Sequence, residues 1–399
     1  MQEVTFKEED IHIKTAFVAK VSGACMKIGL ISLLLSFVLF FVDRHHFFYS
    51  YLTVFSFFMT LTLGSLFFVM ILHVTRAGWG IVVRRIAECL MNNIGLMFLL
   101  FLPLLFGIHD LYHWSHADAV AHDHLLQVKF PYLNVPFFII RALVFFLIWF
   151  FLAKRFYQTS IKQDQNGDSS LTLLMQKTAT YGLLLYAITQ SFAFIDWVMS
   201  LTPHWYSTIF GVYFFAGSTM VALTVITLIL MILRRNGYLR DLVTIEHYHD
   251  LGKLSYGFMI FWSYIAFCQF FLIWYSNIPE ETLFYKQHFE GTWRYVMILL
   301  CVGHFGIPFL GFMSRHVKRN LFTHCLMACW LVFMHYVDMY WIIMPGMFPD
   351  GINYSLFDIV LLLGFGGIYF SVFFKRLTYS SLIPVKDPRI QESLAFKNY

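Results

Sequence analysis

Two aspartates interrupt stretches that are otherwise apolar and aromatic. Asp196 lies in QSFAFIDWVMSLTPHWYSTIFGVYFFAG, Gln190 to Gly217, and Asp338 lies in HYVDMYWIIMP, His335 to Pro345. Each is followed seven residues later by a proline, Pro203 and Pro345. An ionisable group inside a spanning helix costs about 3 kcal/mol on insertion scales, so it faces a bundle interior and serves a purpose there. Histidines extend the pattern. His304 stands about eleven residues into one apolar run, and His335 shares a helical face with Asp338 at i, i+3. Acids and imidazoles at staggered depths are what proton movement requires, because burial and neighbouring charge bring each to gain and lose a proton near neutral pH. His304, His335, Asp338 and Asp196 are therefore read together as proton-transferring or quinone-proximal. His304 alone reads as a hydrogen bond between helices.

Further ionisable groups lie nearer the ends of the apolar runs. His109, Asp110 and His113 close the third run, and Glu280 and Glu281 follow the seventh in NIPEE. His73 ends the second run, while Glu246, His247, His249 and Asp250 crowd the start of the seventh. His109, Asp110, His113, His73, Glu280 and Glu281 join the candidates for proton transfer or quinone proximity, with no catalytic residue assigned. The segment from His109 to Val135 holds five of the seventeen histidines. His109, His113 and His116 would form a metal site if that segment were helical; an unliganded, wet surface segment is the favoured reading, and no metal is expected. His304 and His335 also have compatible depths for a bis-histidine haem b, an alternative the residues leave open. There is no C-x-x-C-H and no ferredoxin-type cysteine run, and the six cysteines read as small packing residues. The chain is expected to bind no redox cofactor of its own.

The elements that must position these groups are transmembrane helices. The chain is 59% hydrophobic and 13% charged, against about a quarter charged for soluble domains. Its net charge of +5 is spread over loops, which suits an orientation signal and not a nucleic-acid surface. Ten apolar runs are long enough to span a bilayer, near 22–42, 48–73, 86–108, 134–153, 179–199, 209–233, 253–277, 293–313, 321–343 and 355–375. Fourteen lysines and arginines follow helices 2, 4, 6 and 8, and four follow the odd-numbered helices, so both termini are expected in the cytoplasm. Residues 1–21 read as a soluble cytoplasmic arm with no cleavable signal peptide. Flanking helix 1 occupies 22–47. A first four-helix bundle, helices 2–5, covers 48–208 with a His-rich outer loop at 109–135. A second, helices 6–9, covers 209–354, and 355–399 holds flanking helix 10 and a cytoplasmic tail. Gln163 to Ser170 reads as a polar linker. The tail from Pro384 is expected on a partner or in water. Each bundle starts and ends outside, so the repeats are parallel; the inverted repeats with broken helices common in transporters are not visible.

Several segments together resemble a known family. HVTRAGW (His73–Trp79), HDLYHWSH (His109–His116), IDWVMSLTPHWYSTIFG (Ile195–Gly211), EHYHDLGKL (Glu246–Leu254), QFFLIWYSNIPEET (Gln269–Thr282) and HYVDMYWIIMP (His335–Pro345) resemble the ActF-type membrane subunits of bacterial alternative complex III, within the NrfD-like, polysulfide-reductase-type membrane family. The resemblance implies an all-α integral membrane fold of ten helices, two four-helix bundles flanked by helices 1 and 10. It implies a bacterial cytoplasmic-membrane complex that oxidises quinol and passes electrons to cytochrome c or a terminal oxidase. Its partners would be a homologous NrfD-like subunit, an iron–sulfur subunit and c-type cytochrome subunits carrying haem c. This chain would add a proton path and quinone contacts. The rival readings are a proton-coupled secondary transporter and a purely structural scaffold subunit.

Overall fold

The computed structural model describes residues 6–398. Ten of its helices are long and apolar enough to cross a membrane. They are α1 (Thr15–Phe40), α2 (Arg44–Val74), α3 (Gly78–Phe106), α4 (Val135–Asn166), α5 (Ser170–Trp197), α6 (Phe210–Arg235), α7 (Ile245–Ser276), α8 (Trp293–Met313), α9 (Leu321–Ile343) and α10 (Leu356–Arg376). The chain is an all-α, multi-pass membrane protein. Two faces can be told apart: the proline face, where Pro203 and Pro345 end α5 and α9, and the tail face, where the C-terminal segment lies.

The ten spans match the apolar runs in number and order, but several helices run further on the tail face. α4 continues to Asn166, where Gly167 takes a left-handed conformation (φ 69°) and caps it. The expected polar linker is thus a short turn, and Gln163 is buried inside it, donating to Thr172 Oγ1 at 2.7 Å. α7 begins at Ile245, held by a capping box between Thr244 and His247. Hydropathy marks where a helix leaves lipid, not where its hydrogen bonding stops, so these polar extensions were invisible to it.

α2 and α6, the opening helices of the two groups of four, pack against each other at the centre. α5 lies against α6 and α9 against α2, so the last helix of each group touches the first helix of the other. Gly64 sets the α2–α6 crossing: a Cβ there would stand 1.9 Å from the Ser218 carbonyl oxygen. Gly64→Leu is expected to force the two helices apart. Overpacking costs about 1–3 kcal/mol, and more where backbone must move. Thermal unfolding in detergent should show a midpoint several degrees lower; an unchanged midpoint would contradict the close crossing. α1 and α10 pair along their length, with Gly29 and Gly367 in backbone contact, and the opposite side of α1 is exposed at Leu30, Ile31, Leu34 and Phe37.

Both ends of the chain fold back onto the tail face. The first five residues of the expected arm lie outside the described residues. The rest of the arm is packed: Leu239 N–H donates to the Asp10 carbonyl and Leu382 N–H to the Ile11 carbonyl. The C-terminal segment, expected in water or on a partner, lies on this chain's own helices. Asp387 accepts from Arg84 at 2.8 Å, Ser393 donates to the Trp79 carbonyl at 2.6 Å, and Asn398 donates to Asp250 at 2.9 Å. The reason is charge. Arg84 and Arg85, counted as loop cations from sequence, sit inside α3 and are buried. Glu88, Asp164 and Asp387 pair with them, and Asp387 comes from the tail. Buried cations require such counter-charges.

Candidate functional site

α9 carries His335 and Asp338 one turn apart, both fully buried. The Asp338 carboxyl lies between α6 and α7. The Tyr213 hydroxyl donates to Oδ1 and the Trp262 indole N–H donates to Oδ2 at 3.2 Å. No ion pair reaches Asp338 among the described residues, so the acid is held by neutral donors alone.

His335 reaches the other way, to α2. Its Nε2 lies 2.9 Å from Thr60 Oγ1, whose hydroxyl hydrogen is directed to the Phe57 carbonyl at 2.7 Å. The Thr60 hydroxyl thus stands within hydrogen-bond reach of both, and His335 Nδ1 is buried without a protein partner. His304 stands beside it with ring centroids 6.4 Å apart, and stacks on Trp262 at 3.9 Å. Neither nitrogen of His304 has a protein partner. Each orphaned buried polar atom costs about 1–3 kcal/mol, so the arrangement is poor as helix glue. Gly217 admits the His335 ring, since a Cβ there would meet Cε1 at 2.9 Å and Trp262 at 3.6 Å.

The backbone under His304 is irregular. Leu300–Gly306 forms a π-helical stretch within α8, and the Gly303 carbonyl accepts from the Trp330 indole at 2.6 Å. Pro308 follows closely, lacks an N–H and crowds the preceding turn, which the wider winding accommodates. Such segments recur at functional sites.

Asp196 is not part of this group. Arg141 Nε donates to it at 2.6 Å and the Tyr132 hydroxyl at 2.9 Å. The same guanidinium donates to the Tyr132 carbonyl at 2.7 Å and lies 3.8 Å from the Tyr132 ring and 4.5 Å from the Phe137 ring. Burial, and then the Asp196 charge, push the Tyr132 phenol up, which keeps it a donor to the carboxylate. Of the expected path through Asp338, His335, His304 and Asp196, the last member thus stands apart, in an ion pair with Arg141. Arg141, in the apolar run FFIIRALVFF, was the overlooked signal.

The remaining candidates are scattered. Asp110 pairs with Arg44 at 2.9 Å, and His109 Nδ1 meets Ser115 Oγ at 3.0 Å. His113 is exposed. Extended backbone at Tyr112 breaks the helical spacing of the three histidines, yet His109 and His116 still meet, with ring centroids 5.4 Å apart and His116 Nε2 2.8 Å from the His109 carbonyl. No group of three or more metal-capable side chains occurs among the described residues. Glu280 is exposed and Glu281 half-buried at the start of a helix over Pro279–Phe289 on the proline face. His73 is buried at the tail-face end of α2, stacked on Phe156 with Nε2 unpartnered.

A cavity of about 580 Å³ adjoins the Asp338 group. Tyr213 and Trp262, the two donors to Asp338, form its inner wall. Phe210 of α6, together with α7, α8, α9 and the Pro279–Phe289 helix, supplies the rest. That helix is anchored by His288, whose Nδ1 lies 2.7 Å from the Phe284 carbonyl and Nε2 3.3 Å from the Ile342 carbonyl. Burial pushes His288 down to about 4, partly opposed by those carbonyls. Its unfolded value is near 6.5, so between pH 6.5 and 4 the opened state takes up the proton and the packed helix loses stability as pH falls. Hydrogen exchange over 279–289 should speed up on acidification through that window, and His288→Gln should remove the dependence. No change in wild-type exchange across the window would contradict the assignment.

No protein-family model matches the chain, and no curated protein matches it.

Proposed function

We propose that this chain is an integral subunit of a respiratory quinol:cytochrome c or quinol:terminal-oxidase oxidoreductase in a bacterial cytoplasmic membrane. It contributes proton-transferring side chains and no redox metal. The observation that carries the reading is the Asp338–His335–His304 group: a buried acid without a counter-cation, beside two imidazoles with unpartnered nitrogens. An acid in that setting gains and loses a proton without breaking an ion pair, and the imidazoles supply neighbouring stations. The segments resembling alternative complex III membrane subunits include HYVDMYWIIMP, which holds two of the three residues. In this reading both termini face the cytoplasm, and the proline face releases protons outside. A homologous membrane subunit, an iron–sulfur subunit and c-type cytochromes complete the assembly.

Affinity purification of the tagged chain from mildly solubilised membranes tests the reading. Comigration on a native gel with haem-staining and iron–sulfur polypeptides is the expected result. A chain that migrates alone under the conditions that preserve other respiratory complexes would overturn it.

A further inference from the structure

Three helices change character together toward the tail face. α3 is uncharged from Ile94 to Phe106, and Asn92 and Asn93 stand just before that stretch. α4 carries no charge from Ala142 to Ala153 and then meets Lys154. α10 is uncharged from Ile359 to Phe374 and ends on Lys375 and Arg376. Such a change marks the level where hydrocarbon gives way to lipid head groups. A groove of about 760 Å³ opens there between the three helices. Its apolar side is made by Leu96, Phe150 and Val372, and its polar side carries Lys154, Lys162 and Arg376.

These three cations lack counter-charges. No ion pair reaches any of them among the described residues. The acids near them in sequence are engaged elsewhere: Asp164 pairs with Arg85, and Asp168 accepts from the Ser170 N–H and hydroxyl, both at 2.8 Å. Arg84 and Arg85, by contrast, find carboxylates within the chain. Arg376 is half-buried and fixed. Its Nη1 donates to the Cys89 carbonyl at 3.2 Å and to Asn93 Oδ1 at 3.3 Å, which leaves Nε and Nη2 for an outside acceptor. Lys154 and Lys162 lie two turns apart on one face of α4, with Gln158 between them, and Lys154 Nζ stands 5.6 Å from the Phe150 ring centroid.

We infer that this groove binds the head group of an acidic phospholipid, its phosphate held by Arg376 and the two lysines and its acyl chains running past Leu96 and Phe150 into the bilayer. A guanidinium with two free N–H groups forks onto a phosphate, and ammonium groups add mobile positive charge around it. Basic pockets between transmembrane helices take such head groups. A zwitterionic lipid would bring a cation of its own against the lysines. A free phosphate would make no use of the apolar side. Because α10 flanks the first group of four and α3 and α4 belong to it, the bound lipid adds a tie between them. The inference does not depend on the quinol-linked reading.

The full chain, purified in detergent and stripped of lipid, is titrated with phosphatidylglycerol or with phosphatidylcholine of the same acyl chains, and bound lipid is counted by native mass spectrometry. Saturable binding of phosphatidylglycerol, at least tenfold tighter than that of phosphatidylcholine, is expected, with an unfolding midpoint several degrees higher. Lys154→Gln combined with Lys162→Gln should weaken that binding at least fivefold. Both lysines are exposed, so the lipid-free midpoint of this variant should match wild type. Adding Arg376→Gln should abolish the lipid-dependent rise. Lys286→Gln combined with Arg294→Gln removes two exposed cations of the proline face and should leave binding unchanged. Equal binding of the two lipids, or wild-type binding by the Lys154 and Lys162 variant, would overturn the assignment. Displacement of phosphatidylglycerol by an equal concentration of inorganic phosphate would also overturn it, by making the groove a site for a soluble anion.

Discussion

Asp338→Asn is expected to lower quinol-linked proton release by at least tenfold while the chain still inserts and assembles. The two effects separate because of what holds the side chain. Tyr213 and Trp262 both donate, one to each carboxyl oxygen. Asparagine keeps one accepting oxygen and turns an amide toward the other donor, so one hydrogen bond is lost at about 1 kcal/mol. No buried cation is left uncompensated, because none pairs with Asp338 among the described residues. Folding therefore survives. Proton exchange does not, since an amide neither releases nor accepts a proton in the accessible pH range. His304→Gln should show a smaller loss, because His335 keeps its unpartnered Nδ1. The measurement is proton release per quinol oxidised in proteoliposomes containing the purified complex, with subunit stoichiometry read from the same preparation. Wild-type release from an intact Asp338→Asn complex would show that the acid is structural.

The sequence carried the number and order of the helices, because twenty-residue apolar runs have few alternative fates. It marked Asp196 and Asp338 alike, each seven residues before a proline, at 203 and 345. It did not carry their difference. That difference is made by residues far away in the chain: Arg141 from α4 meets Asp196, while Tyr213 from α6 and Trp262 from α7 meet Asp338. Arg141 could have been found, since an arginine in the middle of an apolar run demands an acid nearby. Tyr213 and Trp262 could not, because aromatic residues occupy a fifth of the chain and carry no mark of a hydrogen-bonding duty. The tail's role as a counter-charge for α3 depends on a tertiary contact that no local pattern encodes. His109, His113 and Glu280 were marked by their clustering along the chain, and the fold places them on the surface, with Glu281 half-buried.

The second large effect concerns stability. Arg141→Met is expected to destabilise the chain by about 3–5 kcal/mol, the usual consequence of stranding one member of a buried ion pair. Asp196 would keep the Tyr132 hydroxyl as a donor but lose the cation that neutralises it. Arg141 also bridges to the Tyr132 carbonyl and packs on two rings, so its loss loosens the turn that leads into α4. Asp196→Leu alone should be comparably damaging, leaving a buried guanidinium unpaired. The double variant Arg141→Met with Asp196→Leu should recover most of the loss, because apolar pairs of similar volume replace buried ion pairs at little net cost. Unfolding in detergent by heat or denaturant measures all three. Single variants as stable as wild type would mean the pair is solvated and dispensable. The double variant also separates the two aspartates functionally. If Asp196 serves only to hold α4 against α5, the recovered protein should release protons at the wild-type rate, where Asp338→Asn does not. A double variant that is stable but silent would put Asp196 back on the proton route.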